Sequence, residues 1–215
     1  MNKHILIVGA SRGIGLGLVQ EFKRRGWQVT ATERSRGDEL HAIGGVHIVT
    51  LDVADPSTFD LDGSFDAVIL NAGITGAAHQ SSEQATPDDV AEVMMTNAFG
   101  PAHLAKRLMP QIARGGVLGF TSSLMGSIAD SSGGYELYRT SKTAQNMLAK
   151  GIAEQEAKER GLAVLSLHPG WVQTDMGGPN AKVSVEDSAR GLADVIEQAQ
   201  PGYAYLDYTG KALEF

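Results

Sequence analysis

The sequence predicts a doubly wound α/β fold, a parallel sheet with helices on both faces, and three observations carry that prediction. Short apolar runs alternate along the whole chain with longer amphipathic stretches, the pattern of strands joined by crossover helices. A glycine-rich segment, Gly9-Ala10-Ser11-Arg12-Gly13-Ile14-Gly15, sits where the first apolar run gives way to the first amphipathic stretch. The 215 residues, 42% of them apolar, suffice for one well-filled core, and no repeat, low-complexity tract or linker divides them. One domain over 1–215 is expected.

The elements follow in order. His4–Val8 reads as the first strand and Gly13–Arg25 as its helix, stopped by Gly26. Trp27–Thr32 is the second strand, Val46–Leu51 the third, Ala67–Leu70 the fourth and Val117–Thr121 the fifth. The connection from Thr50 to Phe65 is short for a crossover helix. Asp55-Pro56-Ser57-Thr58 can start a turn, but Asp60-Leu61-Asp62-Gly63 ends it, so a reduced helix is expected there. A helical region runs from about Pro87 to Ala113, interrupted at Gly100-Pro101. Leu137–Arg160 is a long helix, Ala163–Leu167 a sixth strand, Val185–Gln198 a helix and Tyr203–Leu206 a seventh strand.

Composition excludes several functions. The net charge of −7 and the lack of any basic stretch argue against nucleic acid as a partner. With no cysteine, neither a disulfide framework nor a thiolate zinc site can form. The six histidines include no pair at helical ligand spacing, so no metal site is expected. The apolar run Ile5–Val8 is too short for a signal segment, and no stretch approaches a membrane span. A soluble, cytoplasmic protein without membrane contact is expected.

Two motifs carry chemistry. Gly9, Gly13 and Gly15 follow a strand and open a helix, so backbone free of Cβ and a helix N-terminus would face a pyrophosphate. Tyr138 and Lys142 stand at i and i+4, on one helix face, where an ammonium would lower the pKa of a phenol from about 10. Together they point to carbonyl/alcohol chemistry on a nicotinamide cofactor.

With these residues quoted, the chain resembles the short-chain dehydrogenase/reductase family. The glycine spacing Gly-x-x-x-Gly-x-Gly is that family's form. Leu51-Asp52-Val53, Asn71-Ala72-Gly73, Asn97, Ser122-Ser123, Tyr138-x-x-x-Lys142 and Pro169-Gly170 follow in the family's order, covering nearly the whole chain. The stretch from His168 through Met176 to Gly178 further resembles the carbonyl-reductase-like and C-factor-like branch. The resemblance implies a Rossmann fold with seven parallel strands in the order 3-2-1-4-5-6-7 and a dinucleotide across the switch point.

The resemblance also implies roles. Tyr138 is the general acid/base at the carbonyl oxygen, and Lys142 lowers its pKa and bonds the nicotinamide ribose. Ser123 holds the substrate oxygen, and Asn97 fixes a water linking Lys142 to solvent. The loop residues Gly9, Ser11, Arg12, Gly13, Ile14 and Gly15 bind the cofactor. So do Asp52 and Val53 at the adenine, Asn71, Ala72 and Gly73 at its ribose, and Pro169, Gly170, Val172 and Thr174 toward the carboxamide. The substrate is a small carbonyl or alcohol. The alternative is a cofactor-binding signalling protein of the C-factor type, and a third reading is an epimerase or dehydratase of the same fold.

Six points need the structure. Tyr135, with Arg139 at i+4, rivals Tyr138, but a guanidinium is a poorer match for the role of a compact ammonium. Ser122 rivals Ser123, which the family's spacing to Gly126 favours. Val8 replaces a family threonine whose hydroxyl often braces the glycine turn. Arg12 and Arg34 could meet a ribose 2′-phosphate, whereas Glu33 could bind the free hydroxyls of NAD. If Thr32 ends the second strand, Glu33 faces the ribose; if Glu33 ends it, Arg34 does. Two arginines against one carboxylate favour NADP(H). Leu124, Met125, Ile128, Trp171 and Met176 could line an apolar substrate pocket. A homodimer or homotetramer is expected through the helices containing Asn97–Ala113 and Leu137–Arg160.

Overall fold

The computed structural model describes residues 2–215 and contains a seven-stranded sheet in the order 3-2-1-4-5-6-7, every neighbouring pair parallel. The strands are β1 (His4–Val8), β2 (Gln28–Glu33), β3 (His47–Thr50), β4 (Phe65–Leu70), β5 (Ile112–Thr121), β6 (Ala163–His168) and β7 (Gly202–Asp207). Successive side chains of a strand point to opposite faces, so each central strand supplies two layers of core. On one face Leu6, Val8, Val68, Leu70, Leu118 and Phe120 are buried. They pack under Leu104 and Leu108 of α4 (Gly100–Leu108) and Ala149 and Ile152 of α5 (Glu136–Ile152). On the other face Ile5, Ile7, Val29, Ala31, Ala67 and Ile69 lie under α1 (Gly13–Arg24) and α6 (Val185–Glu197). Strands buried on both sides read as continuous apolar runs, which is why β1 and β4 were legible.

The two short helices are α2 (Asp38–His41), which the sequence reading did not anticipate, and α3 (Pro87–Met94). The reduced crossover is a single 3₁₀ turn, Pro56–Thr58, capped by Asp55, whose carboxylate accepts from the Ser57 N–H at 2.9 Å. The helical region after Pro87 differs from expectation in two ways. Its interruption is a π turn, Met95–Phe99, upstream of Gly100, and helix resumes at Gly100 rather than breaking there. Pro101 has no N–H to offer the carbonyl four residues back, so the ladder widens ahead of it. Gly100 allows a close approach: a Cβ there would fall 2.1 Å from the Val53 carbonyl oxygen. Ala113 also lies in β5, which starts at Ile112 rather than Val117.

The long helix from Glu136 passes through a π turn at Ala153–Ala157 and a 3₁₀ turn at Lys158–Arg160, and stops at Gly161 with φ +67°. Val90, Met95 and Phe99 in the α3–π segment and Met147 on α5 expose apolar side chains. Among the described residues, no helix is long and apolar enough to cross a membrane.

Candidate active site

The glycine loop joins β1 to α1 at the C-terminal ends of the central strands. Gly9 has φ +81°, and a Cβ there would lie 2.7 Å from the backbone of Ala72. A Cβ on Gly15 would lie 2.2 Å from the Gly9 carbonyl oxygen and 2.7 Å from Asn71 Nδ2. At both positions the shortest contact is to backbone, which cannot swing aside, so both require glycine. The loop is braced despite Val8: the Gly9 N–H donates to Thr32 Oγ1 at 3.2 Å, and Asn71 Nδ2 donates to the Gly9 carbonyl at 2.8 Å. Asn71 Oδ1 in turn accepts from Thr121 Oγ1 at 3.1 Å. Asn71, expected beside the adenine ribose, thus uses both ends of its amide to tie β1, β4 and β5 together.

The N-terminus of α1 has no side-chain cap. Arg12 occupies the cap position in an extended conformation and sends its guanidinium to Asp175 at 2.8 Å. The Thr174 methyl sits over Gly13, 3.3 Å from where a Cβ would stand, so the segment after β6 lies across the loop beside Ser11 and Ile14. Pro169 is anchored there through its carbonyl, which accepts from Ser188 Oγ at 2.7 Å. Gly170, at φ +88°, makes the turn, and Val172 is buried and bridges to Val183. Uncapped N–H groups opening onto a cradle without Cβ atoms suit the pyrophosphate of a dinucleotide, for which the helix dipole is favourable.

Strand β2 ends at Glu33, and this corrects one expectation. Glu33 is buried, and its carboxylate accepts from the Gly37 N–H at 2.7 Å and meets His41 Nε2 at 2.7 Å. Burial pushes its pKa upward, but the bonds from His41 and Gly37 outweigh that and hold it below the ordinary range. The carboxylate is thereby tied to the turn into α2. Arg34, the next residue, is exposed, and the Gly37 backbone packs against Ser11, which brings this turn to the phosphate loop. After β3, Asp52 Oδ1 accepts from the Ala54 N–H at 2.9 Å, and Val53 is buried beside Gly100.

The candidate catalytic side chains gather at the ends of β4 and β5. Ser122 is buried and donates to Asn146 Oδ1 at 2.6 Å, which commits it to the core. Ser123 Oγ accepts from the Met125 N–H at 3.1 Å and lies on the side of Tyr138, where it counters part of the rise in that phenol's pKa. Tyr135 is turned away, 58% exposed, at the start of α5 with φ +48°. Its neighbour Arg139 bonds the Gly134 carbonyl and Ser132.

Lys142 is buried; its Nζ donates to the Thr121 carbonyl at 2.8 Å, approaches Gln145 Oε1 at 3.4 Å and lies 5.8 Å from the Tyr138 ring centroid. Burial lowers the Lys142 pKa to about 7. Burial also raises the Tyr138 pKa to about 12, and the neighbouring Ser123 hydroxyl only moderates the rise. The acidification of Tyr138 expected from i,i+4 spacing is therefore absent in this arrangement: desolvation dominates both groups.

Asn97 lies fully buried in the π turn. It spans the chain between strand and helix, accepting from the Ile74 N–H at 2.8 Å and donating to the Ile74 carbonyl at 2.7 Å and to Ser141 Oγ at 2.9 Å. Its Oδ1 and Lys142 Nζ approach Gly73 from two sides, at 3.2 and 3.5 Å from a Cβ position there. The side chain expected to hold a water is thus committed to fixing the Gly73–Ile74 backbone against α5.

Gln80 escaped sequence reading. Its φ is +51°, unusual for a residue with a Cβ. Its Oε1 accepts from the Tyr138 N–H at 3.1 Å, its carbonyl accepts from the Glu136 N–H at 3.0 Å, and its Nε2 donates to the Thr75 and Ala77 carbonyls, both at 2.7 Å. It caps α5 from 58 residues away, and no local pattern signals that. Leu124 and Met125 are half-buried, whereas Ile128, Trp171 and Met176 are exposed, so the anticipated apolar pocket is an open rim.

The short chain dehydrogenase family matches residues 3–183. The C-signal protein of Myxococcus xanthus is 36% identical over 155 residues, 69% of this chain and 91% of its own length. A Burkholderia multivorans structure of this class with bound NADP superposes with a TM-score of 0.94 at 36% identity, covering 100% of both chains. A carbonyl reductase from Pseudomonas aeruginosa PAO1 in complex with NADP gives 0.92 at 36% identity, again over 100% of both. Agreement of this depth extends beyond architecture to sequence along the full length: the chain belongs to the short-chain dehydrogenase/reductase family and is an oxidoreductase.

Proposed function

We propose that the protein transfers a hydride between NADP(H) and a small-molecule carbonyl or secondary alcohol, with Tyr138 as general acid/base. The observation that carries this reading is the grouping of half-buried Tyr138 with Ser123, one helical turn from buried Lys142 and at the same C-terminal end of the sheet as the glycine cradle. Gly9, Ser11, Arg12, Gly13, Ile14 and Gly15 would hold the pyrophosphate, and Gly73, Pro169, Gly170, Val172 and Thr174 the rest of the cofactor. When bound, the nicotinamide supplies or accepts the hydride.

The protein's own residues handle the oxygen and its proton. The Ser123 hydroxyl orients the carbonyl oxygen and stabilises the charge that develops on it. Tyr138, protonated across the neutral range, gives that oxygen its proton. Lys142 titrates near neutrality beside the helix that carries Tyr138, and so is suited to replacing a proton from the protein side. NADP(H) is favoured over NAD(H) because Glu33 is sequestered by His41 and Gly37, while Arg34 and Arg12 stay at the surface by the phosphate loop. A guanidinium matches a phosphate in geometry as well as charge. The NADP-bound relatives support the same choice.

The test is spectrophotometric turnover of NADPH and NADH against aldehydes, ketones and quinones, with wild type and Tyr138→Phe compared. The expected result is NADPH oxidation, with kcat falling by ~10²–10⁴ in the variant while cofactor affinity holds. Wild-type kcat in Tyr138→Phe would sink the mechanism. Cofactor binding without turnover across the panel would favour the signalling alternative.

A further inference from the structure

Behind Ser123, on the side facing the sheet, lies a tyrosine with no place in the reaction described above. Tyr205, in β7, is 3% exposed, and its hydroxyl donates to the Ser123 carbonyl oxygen at 2.5 Å across 82 residues of sequence. The same carbonyl accepts from the Gly126 N–H at 2.8 Å. The serine's peptide is therefore held from the sheet by Tyr205 and from the loop by Gly126, while its Oγ is left toward Tyr138. Around it Ser122 donates to Asn146, and Asn146 Nδ2 donates to the Gly126 carbonyl at 3.4 Å, so a buried polar network underlies the whole turn.

The tyrosine is itself fixed. The chain turns back after β7, pairing Leu206 with Ala212, and the Leu213 N–H donates to the Tyr205 carbonyl at 2.9 Å. That return brings the Phe215 ring to 5.6 Å from the Tyr205 ring, and the Phe215 carbonyl accepts from the Ala129 N–H at 2.9 Å. Phenylalanine would fill the same space at position 205. What tyrosine adds is one buried hydroxyl, and that hydroxyl is directed at the backbone of the serine proposed to hold the substrate oxygen.

We infer that Tyr205 is a positioning residue for Ser123, locking the serine's peptide so that its hydroxyl meets the reacting oxygen. The inference rests on the reading of Ser123 given under the proposed function. A donor aimed at developing charge loses its effect when its backbone drifts, so loss of the brace acts on kcat and spares cofactor binding.

The experiment is a double-mutant cycle with Tyr205→Phe, Ser123→Ala and both together, measuring kcat, the KM for NADPH and Tm. Tyr205→Phe is expected to lower kcat about five- to tenfold, the kinetic equivalent of one hydrogen bond, with KM for NADPH and Tm near wild type. In the Ser123→Ala background the same change should alter the residual kcat by less than about twofold, because the two residues act as one unit. Wild-type kcat in Tyr205→Phe would overturn the inference. So would an equal fold-loss in both backgrounds, which marks a diffuse structural effect. Wild-type kcat in Ser123→Ala would instead remove the role of Ser123 itself, and is read separately from the single Tyr205 variant.

Discussion

The phosphate-loop end and the reaction end of this sheet are built by opposite means. At the loop, shape comes from absence: Gly9 and Gly15 leave no Cβ where the backbones of β1, α1 and Ala72 crowd together. At the reaction end, shape comes from side chains supplied at long range. Gln80 caps α5 at Tyr138, Asn97 ties Ile74 to Ser141, and Tyr205 holds Ser123. A steric exclusion is enforced by the neighbouring backbone and tolerates little else. A hydrogen-bonded brace is graded, so the reaction end is where single substitutions should tune rate without unmaking the fold.

That contrast can be broken or sharpened. The largest effect at the loop is expected from Gly15→Ala, whose methyl would meet backbone and the Asn71 amide. If the ~1–3 kcal/mol of overpacking falls on the binding conformation, NADPH affinity drops about 5- to 100-fold. Fluorescence titration measures it, and unchanged affinity would show that the loop yields more easily than its contacts imply.

At the reaction end, Gln80→Gly removes three side-chain hydrogen bonds while suiting the positive φ. It should reduce kcat about five- to tenfold with little change in the KM for NADPH. An unaltered kcat would mean that Tyr138 needs no cap from this loop.

A third test separates stability from function at Lys142. Its pKa is depressed in the folded chain from 10.5 to about 7, so below pH 7 the fold carries the full cost of a buried ammonium. Between pH 7 and 10.5 the unfolded chain binds the extra proton, and this group's contribution to stability rises with pH across that window. Lys142→Met should therefore raise Tm most at pH 6 and progressively less toward pH 10, offset in part by the Thr121 carbonyl left without its donor. Thermal scans at several pH values check it. A gain that grew with pH would contradict the sign.

The strands, the glycine turn and the placing of Tyr138 and Lys142 on one helix face were legible because each rests on local pattern: apolar runs, missing Cβ atoms, and i,i+4 spacing. Burial then altered what those residues do. Tyr138 and Lys142 stand on one helix face as the spacing requires, yet desolvation, which no spacing reports, sets both pKa values. Glu33 was legible as a candidate, but its bond to His41 was not, because His41 lies on a short helix that the sequence did not announce. Val8 read as the loss of one bracing hydroxyl, and the brace comes instead from Thr32 on β2 and Asn71 just after β4.

By itself the sequence determined the strands, their crossovers, the glycine turn after β1 and the shared helix face of Tyr138 and Lys142. Those depend on periodicity and on backbone sterics, which act between near neighbours. Only the tertiary structure decided which carboxylate is sequestered, which serine faces the tyrosine and which remote side chains hold them. Directional hydrogen bonds and burial are properties of residues brought together from far apart in the chain, and a linear pattern carries no record of them.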